Sequence, residues 1–247
     1  MGILERWLMP GLYERLVLPA PKSSVLPILT EIDEFTPSSG KSLFHQVLPK
    51  YHHVADDIEK SGYKGIAELI RFTFNQTSEY FTRQITTKDD DESLESNVGE
   101  QLDASARGLG YALKARSKPD SLRYINSMYQ AMVPKGSDQE TKESRELIAH
   151  AIEQSASAVR GRDTRPIRRT LSSFAGQTLQ DQDLTFAINY LHTAFNTHLK
   201  ELGEGPEAEA LAGHLERLAK GIQRKNELDI YFSLDTIATL AYDLRNK

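Results

Sequence analysis

Five arginines stand within ten residues in the middle of the chain, with a single acidic residue, Asp163, among them. These arginines, called here the arginine segment, are Arg160, Arg162, Arg165, Arg168 and Arg169. The planar guanidinium matches a phosphate group, and a helix that starts at Pro166 adds backbone N–H donors toward the same anion. We therefore expect the arginine segment to contact nucleic-acid phosphates by neutralising their charge, without reading bases. The alternative is that the arginines pair internally with acidic residues of the N-terminal or C-terminal part of the chain.

A second basic stretch precedes the arginine segment. Arg107, Tyr111 and Lys114 are spaced by four and three residues, so they share one face of a helix, and Arg116 follows. Basic residues interleaved with tyrosines, here Tyr111 and Tyr124, are typical of surfaces that track a phosphate backbone and stack bases. Arg107, Lys114 and Arg116 are therefore the second set of predicted phosphate contacts. The alternative is that the tyrosines are partly buried in the fold.

A histidine and aspartate cluster could ligate a metal ion. His52 and Asp56, and likewise His53 and Asp57, are four residues apart, a spacing at which one helix presents an imidazole and a carboxylate together. A metal-dependent enzyme in a helical bundle is thus one alternative function. Against it, Pro49 is expected to break the helix just before the cluster, and solvated local pairs explain the same spacing. We expect no cofactor.

Other catalytic patterns are missing from the sequence. It contains no G-x-S-x-G, H-E-x-x-H or G-x-G-x-x-G motif, so catalysis has no support. Residues 39–42, SGKS, resemble the end of a P-loop, but Phe35 stands where the first glycine belongs. We expect no nucleotide site there.

Apolar residues recur at three- and four-residue spacing along most of the chain, which predicts amphipathic helices. The clearest case is residues 141–160, whose apolar stripe includes Leu147, and Gly161 is predicted to end that helix in a left-handed conformation. Runs of β-branched residues bounded by turns are almost absent. The expected fold is therefore all-α, with about eight to ten helices in one or two helical bundles.

Polar residues ahead of apolar runs predict where later helices begin. Asp181 or Asp183 is expected to start a long helix, and Ser233 is expected to cap the last one. Short polar side chains at such positions accept hydrogen bonds from the first backbone N–H groups of a helix.

An acidic segment marks the expected boundary between two parts of the chain. Residues 86–98, TTKDDDESLESNV, lose the helical period and contain five acidic residues. We therefore predict an N-terminal helical segment of residues 1–86, an acidic linker or loop of residues 87–98, and a C-terminal helical bundle of residues 99–247.

Composition excludes several classes of protein. The 247 residues contain no cysteine, which excludes disulfides, thiolate nucleophiles and Cys-ligated metal centres. No apolar run approaches the roughly 20 residues of a membrane-spanning helix. The net charge of −5 is uneven, because residues 99–180 carry 13 basic and 9 acidic residues, whereas both flanking parts are acidic. We expect a cytoplasmic protein without a membrane span.

These patterns together indicate a non-catalytic helical interaction protein. We expect a subunit or adaptor of a larger assembly, with a protein partner or copies of itself as partners and with nucleic acid as a further candidate. A structural homo-oligomer is another alternative, since the arm of residues 7–18 carries Trp7 and several leucines that must pack on the protein's own core or on a sister subunit.

Overall fold

Helices make up almost all of the chain that the computed structural model describes. The described residues are 17–18, 43–87, 92–133, 142–175, 179, 181–203 and 205–246. Within them there are nine helices and no β-strand, which confirms the predicted all-α fold there. The helices are α1 (Leu43–Lys60), α2 (Lys64–Thr87), α3 (Glu92–Lys114), α4 (Lys118–Met132), α5 (Lys142–Arg160), α6 (Arg165–Phe174), α7 (Gln182–Thr197), α8 (Glu207–Arg224) and α9 (Glu227–Arg245). Residues 39–42, and all but the last two residues of the predicted N-terminal arm, lie outside the described residues.

The helices belong to two compact units. Unit 1 is formed by the described residues of Met1–Tyr63 and Thr73–Ala131, and unit 2 by those of Lys64–Phe72 and Met132–Lys247. Helix α2 thus contributes its first part to unit 2 and the rest to unit 1.

Helix α3 begins at Glu92, inside the predicted linker of residues 87–98. The division of the chain into residues 1–86 and 99–247 as separate domains stays a prediction.

Unit 1 is built on a core contributed by α1, α2, α3 and α4. Phe74, Leu102, Leu109 and Ile125 are each at most 2% exposed. Burying an apolar side chain of this size contributes about 1.5–3 kcal/mol. Helix α1 packs against α3, the helix that carries Arg107, Tyr111 and Lys114 of the second basic stretch.

Unit 2 is organised around α5 and α8, which pack along one another, while α9 covers α8 and α6 lies between α5 and α7. Ile148 and Ile152 of α5 and Leu215 of α8 are at most 1% exposed. Leu147, expected in the same apolar stripe, is instead 61% exposed. The buried face of α5 is therefore narrower than the apolar pattern indicated.

Helix α1 runs continuously through Pro49, so the predicted break at this proline is wrong. A proline inside a helix costs about 3 kcal/mol, because it removes one backbone hydrogen bond and crowds the preceding turn. Burial of the apolar face offsets that cost, since Val54 and Ala55 of α1 are completely buried.

Helix α5 ends in a Schellman motif centred on Arg162. The N–H of Asp163 donates to the carbonyl of Ala158 at 2.9 Å, and the N–H of Arg162 donates to that of Val159 at 2.8 Å. Arg162 has φ of 66°, so the prediction that Gly161 occupies the left-handed position is wrong by one residue. A cation at this position interacts favourably with the negative end of the helix dipole, which offsets part of the strain.

The two predicted helix starts have different outcomes. Asp181 caps α7 by accepting a hydrogen bond from the N–H of Leu184 at 2.9 Å, as expected. Helix α9, however, begins at Glu227, where Asn226 is the cap, and Ser233 lies buried inside the helix. The predicted cap at Ser233 is wrong because Asn226 caps the helix seven residues earlier, where its side-chain oxygen accepts a hydrogen bond from the N–H of Asp229 at 3.3 Å.

Candidate functional site

The arginine segment joins the end of α5 to α6, and its first member is held by α8. Arg160 Nε donates to the two carboxylate oxygens of Glu209 at 2.9 and 3.0 Å, and its Nη2 donates to Glu216 at 2.8 Å. These hydrogen bonds, the one to Glu216 first, raise the pKa of Arg160 above its usual value. For Arg160 the structure therefore supports internal pairing.

Asp163 pairs with an arginine two residues later. Arg165 Nε and Nη2 donate to the two oxygens of Asp163 at 2.8 and 2.9 Å, and the backbone N–H of Arg165 donates to Oδ1 at 3.0 Å. These bonds, with the nearby charge of Arg169, lower the pKa of Asp163 to about 2. Asp163 is therefore ionised at neutral pH and cancels one positive charge of the arginine segment.

The remaining arginines differ in their exposure. Arg168 is half-buried, and its Nε donates to Asn196 Oδ1 at 3.1 Å. Arg162 and Arg169 are exposed, and Arg165 keeps 76% of its side chain accessible beside Asp163. The surface of the arginine segment thus presents three arginines and one carboxylate, a weaker positive patch than the sequence indicated.

Helices α3 and α4 enclose a groove in unit 1. Its volume is about 470 Å³. This groove, called here the α3–α4 groove, is lined by Glu100, Asp103, Ala104, Arg107, Gly108, Tyr111 and Tyr124. The structure therefore brings together three residues of the second basic stretch, Arg107 and both tyrosines. Lys114 lies at its edge, with Nζ 5.9 Å from the centroid of the Tyr111 ring.

Asp103 is the electrostatically unusual residue of the α3–α4 groove. Burial raises its pKa to about 6; Arg107 acts in the opposite direction, and Glu100 raises the pKa further. Its Oδ1 atom is buried and accepts no hydrogen bond from the described residues. A buried oxygen without a donor costs about 1–3 kcal/mol, so Asp103 would gain from any donor that enters the groove.

Close packing fixes the aromatic wall of the groove. A Cβ atom at Gly108 would collide with the ring of Tyr124, so only glycine lets α4 place that ring against α3. Tyr111 is 56% exposed and its ring is accessible from the solvent. The groove therefore has one tyrosine whose ring packs at Gly108, Tyr124, and one exposed tyrosine, Tyr111.

Arg116 lies outside the α3–α4 groove, in the turn between the two helices. Its Nε donates to the carbonyl of Leu18 at 2.7 Å. This predicted phosphate contact is therefore engaged with the chain's own backbone.

The histidine and aspartate cluster lies on α1. His52 is half-buried with its ring 6.1 Å from the Phe74 ring, His53 is exposed, and Asp56 and Asp57 are half-buried. Among the described residues, no three His, Asp or Glu side chains come together as metal ligands. A pair alone supplies fewer protein ligands than structural or catalytic metal sites use.

Four residues of the groove were not predicted from the sequence: Glu100, Asp103, Ala104 and Gly108. Two signals were present. Asp103 and Arg107 are four residues apart on one helix, and Gly108 interrupts an amphipathic helix where it costs about 1 kcal/mol relative to alanine. A glycine in that position indicates a close approach by another element.

No helix in the described ranges is long and apolar enough to cross a membrane. Comparison with family models, curated proteins and solved structures finds no match to this chain. The function is therefore inferred from the arginine segment and the α3–α4 groove.

Proposed function

We propose that the protein is a non-catalytic helical subunit or adaptor that binds a protein partner in the α3–α4 groove. The observation that carries this proposal is the exposed Tyr111 beside Arg107 in a groove of about 470 Å³. Tyrosine and arginine are the residue types that contribute most of the binding energy in protein interfaces. A preformed groove also reduces the entropy lost when the partner binds.

The charges of the groove favour a protein over a nucleic acid. Glu100 and Asp103 line it together with Arg107, so groups of both signs lie along one helix. Nucleic-acid affinity comes mainly from neutralised phosphates, which two carboxylates would repel. A peptide segment that carries both donors and acceptors can satisfy all three charged groups and can supply Asp103 with a donor.

Two substitutions test the groove in the full-length protein. Tyr111→Ala removes the exposed ring, and Ala104→Trp fills the groove from an exposed position on α3. Leu147→Ala is the matched control, because it truncates an exposed apolar side chain of unit 2. Partners captured from the native cells with the wild-type chain are purified, and their affinity for each variant is measured by calorimetry.

We expect both groove variants to weaken binding by at least about 30-fold, as for the removal of a hot-spot residue, and the control to bind like wild type. Unchanged folding is checked by circular dichroism. If a purified partner binds the Tyr111→Ala and Ala104→Trp variants as tightly as wild type, the proposal is wrong. Loss of binding in Leu147→Ala alone would place the interface on unit 2.

A weaker contact with nucleic-acid phosphates through the arginine segment is a second candidate function. It is favoured by the exposure of Arg162, Arg165 and Arg169 near the start of α6. The homo-oligomer alternative predicts a mass above the monomer in light scattering that returns to the monomer when residues 1–20 are deleted. A cytoplasmic location stays a prediction from the absence of cysteine.

A further inference from the structure

The charges of the α3–α4 groove are separated along α3. Glu100 and Asp103, called here the acidic end, lie three residues apart on neighbouring turns of the helix. Lys114 lies at the opposite edge, about 16 Å beyond Asp103 at 1.5 Å per residue. Arg107 stands between them. A cation that enters the groove is therefore attracted to the acidic end.

The carboxylate of Asp103 lacks a close cationic partner. Its Oδ1 atom accepts no hydrogen bond from the described residues, and burial raises the pKa of Asp103 more than the charge of Arg107 lowers it. Asp163 shows the opposite behaviour, because direct hydrogen bonds from Arg165 hold its pKa at about 2. The ionised form of Asp103 thus carries a desolvation cost that a bound cation would offset.

The tyrosines supply an apolar surface in the same groove. Tyr111 is 56% exposed, and the ring of Tyr124 packs at Gly108. Lys114 Nζ lies 5.9 Å from the centroid of the Tyr111 ring, within the range of a cation–π interaction. A lysine side chain has an apolar stem and a charged end, so it can contact aromatic rings and carboxylates together.

Lysine suits the acidic end better than arginine does. The ammonium group has three donors that point in different directions, so it can serve carboxylates on two residues. The planar guanidinium of arginine matches a single carboxylate with two parallel hydrogen bonds. Glu100 and Asp103 are two separate acceptors on neighbouring turns, which favours the ammonium group.

We propose that the acidic end of the α3–α4 groove binds a lysine side chain of the protein partner, with its methylene chain against the tyrosine rings. This inference rests on the proposed function of the groove and specifies the residue that the partner inserts. The ammonium group balances the one excess negative charge of the groove lining, which has two carboxylates and one guanidinium. It also supplies Asp103 with a charge-assisted hydrogen bond.

The direct test uses Nα-acetyl-lysine amide as the probe and amide NMR of the full-length chain. We expect shifts in residues 100–111 and a dissociation constant on the order of 1 mM, as for a ligand of this size. Nα-acetyl-norleucine amide, which keeps the unbranched chain without the charge, should bind at least about tenfold more weakly.

Charge-neutralising variants locate the contact. The double variant Asp103→Asn with Glu100→Gln should bind both probes equally, whereas Glu201→Gln, which changes an exposed glutamate of unit 2, should keep the lysine preference. Equal binding of both probes by wild type would overturn the proposal. So would a lysine preference that persists in the double variant, or tighter binding of Nα-acetyl-arginine amide.

The purified partner provides a second test. The double variant should weaken its binding by about tenfold, and Glu201→Gln should bind it like wild type. Poor folding does not explain such a loss, since Asp103→Asn removes a charge that is penalised by burial. Binding that is insensitive to Tyr111→Ala and Ala104→Trp would refute the groove as the partner site. Binding that is weakened by those variants but is unchanged or tighter in the double variant would keep the groove and overturn the lysine assignment.

Discussion

Three glycines within helices are expected to respond to the same substitution with different signs. A Cβ atom at Gly213 of α8 has no other atom within 4 Å. At Gly108 of α3 it meets the ring of Tyr124, and at Gly65 of α2 it meets the backbone carbonyl of Asp235. The comparison therefore separates helix propensity from packing, because each variant adds the same methyl group.

The expected magnitudes follow from these surroundings. In a helix interior, alanine is favoured over glycine by about 1 kcal/mol, so Gly213→Ala should raise the free energy of unfolding by about 0.5–1 kcal/mol. Overpacking costs about 1–3 kcal/mol, so Gly108→Ala should lower it by up to about 2 kcal/mol. Gly65→Ala should lower the free energy of unfolding further, by about 3 kcal/mol, because a backbone carbonyl cannot rotate away as a ring can.

Urea unfolding followed by helical circular dichroism measures these changes, with the shift of each midpoint converted through the denaturant slope. A double mutant makes the test sharper. In a Tyr124→Ala background the obstacle to the methyl group is gone, so Gly108→Ala should become stabilising. If Gly108→Ala stabilises the wild-type chain as much as Gly213→Ala does, the packing of Tyr124 on α3 is refuted, and with it the wall of the α3–α4 groove.

Three further predictions concern the charged residues. The pKa of Asp103 is raised in the folded state, so its ionised form penalises stability above about pH 6 and the penalty disappears as the pH falls below the unfolded value of 3.8. Asp103→Asn should therefore raise the midpoint of urea unfolding at pH 7.5 but not at pH 3.5. A lower midpoint of the variant at pH 7.5 would contradict this. Lys225 ends α8 with φ of 53°, so Lys225→Gly should raise the free energy of unfolding by up to about 1 kcal/mol in urea titrations, whereas a decrease would show that its charge outweighs the strain. If the arginine segment binds single-stranded oligonucleotides through its three exposed arginines, the log–log salt slope in anisotropy should be no steeper than about −2. The double variant Arg162→Ala with Arg169→Ala should reduce the slope to about −0.7, and a wild-type slope steeper than about −2 would require phosphate contacts elsewhere.

Most helices could be predicted from the sequence because the apolar residues of an amphipathic helix recur at the helical period of three to four residues. The start of α7 was also predictable, since Asp181 caps the helix through a local hydrogen bond. The ends of α5 and α8 were not, because Arg162 and Lys225 adopt the left-handed conformation usually assigned to glycine. The backbone hydrogen bonds that close those turns can form with residues other than glycine, so no residue type marks the turn in the sequence.

The candidate sites depended on contacts between distant residues, and this limited what the sequence could predict. The charge density of the arginine segment was visible, but the pairing of Arg160 with Glu209 and Glu216 joins residues 49 and 56 positions apart. Local spacing correctly placed Arg107 and Tyr111 on one face of α3. It did not reveal that α4 adds Tyr124 to that face, because only the packing of two helices creates a groove.

The turn between α3 and α4 binds Leu18 through two hydrogen bonds of Arg116. Ser117 holds this turn, since its hydroxyl donates to Asp120 Oδ2 at 2.5 Å and its N–H closes the end of α3. Arg116→Gly preserves the left-handed backbone and should therefore leave the groove intact while it removes the hydrogen bond from Arg116 Nε to Leu18. Tyr111→Ala should do the reverse, because Tyr111 makes none of the hydrogen bonds that hold Leu18. If Arg116→Gly alone abolishes the partner binding that Tyr111→Ala weakens, the partner must contact this turn as well as the α3–α4 groove.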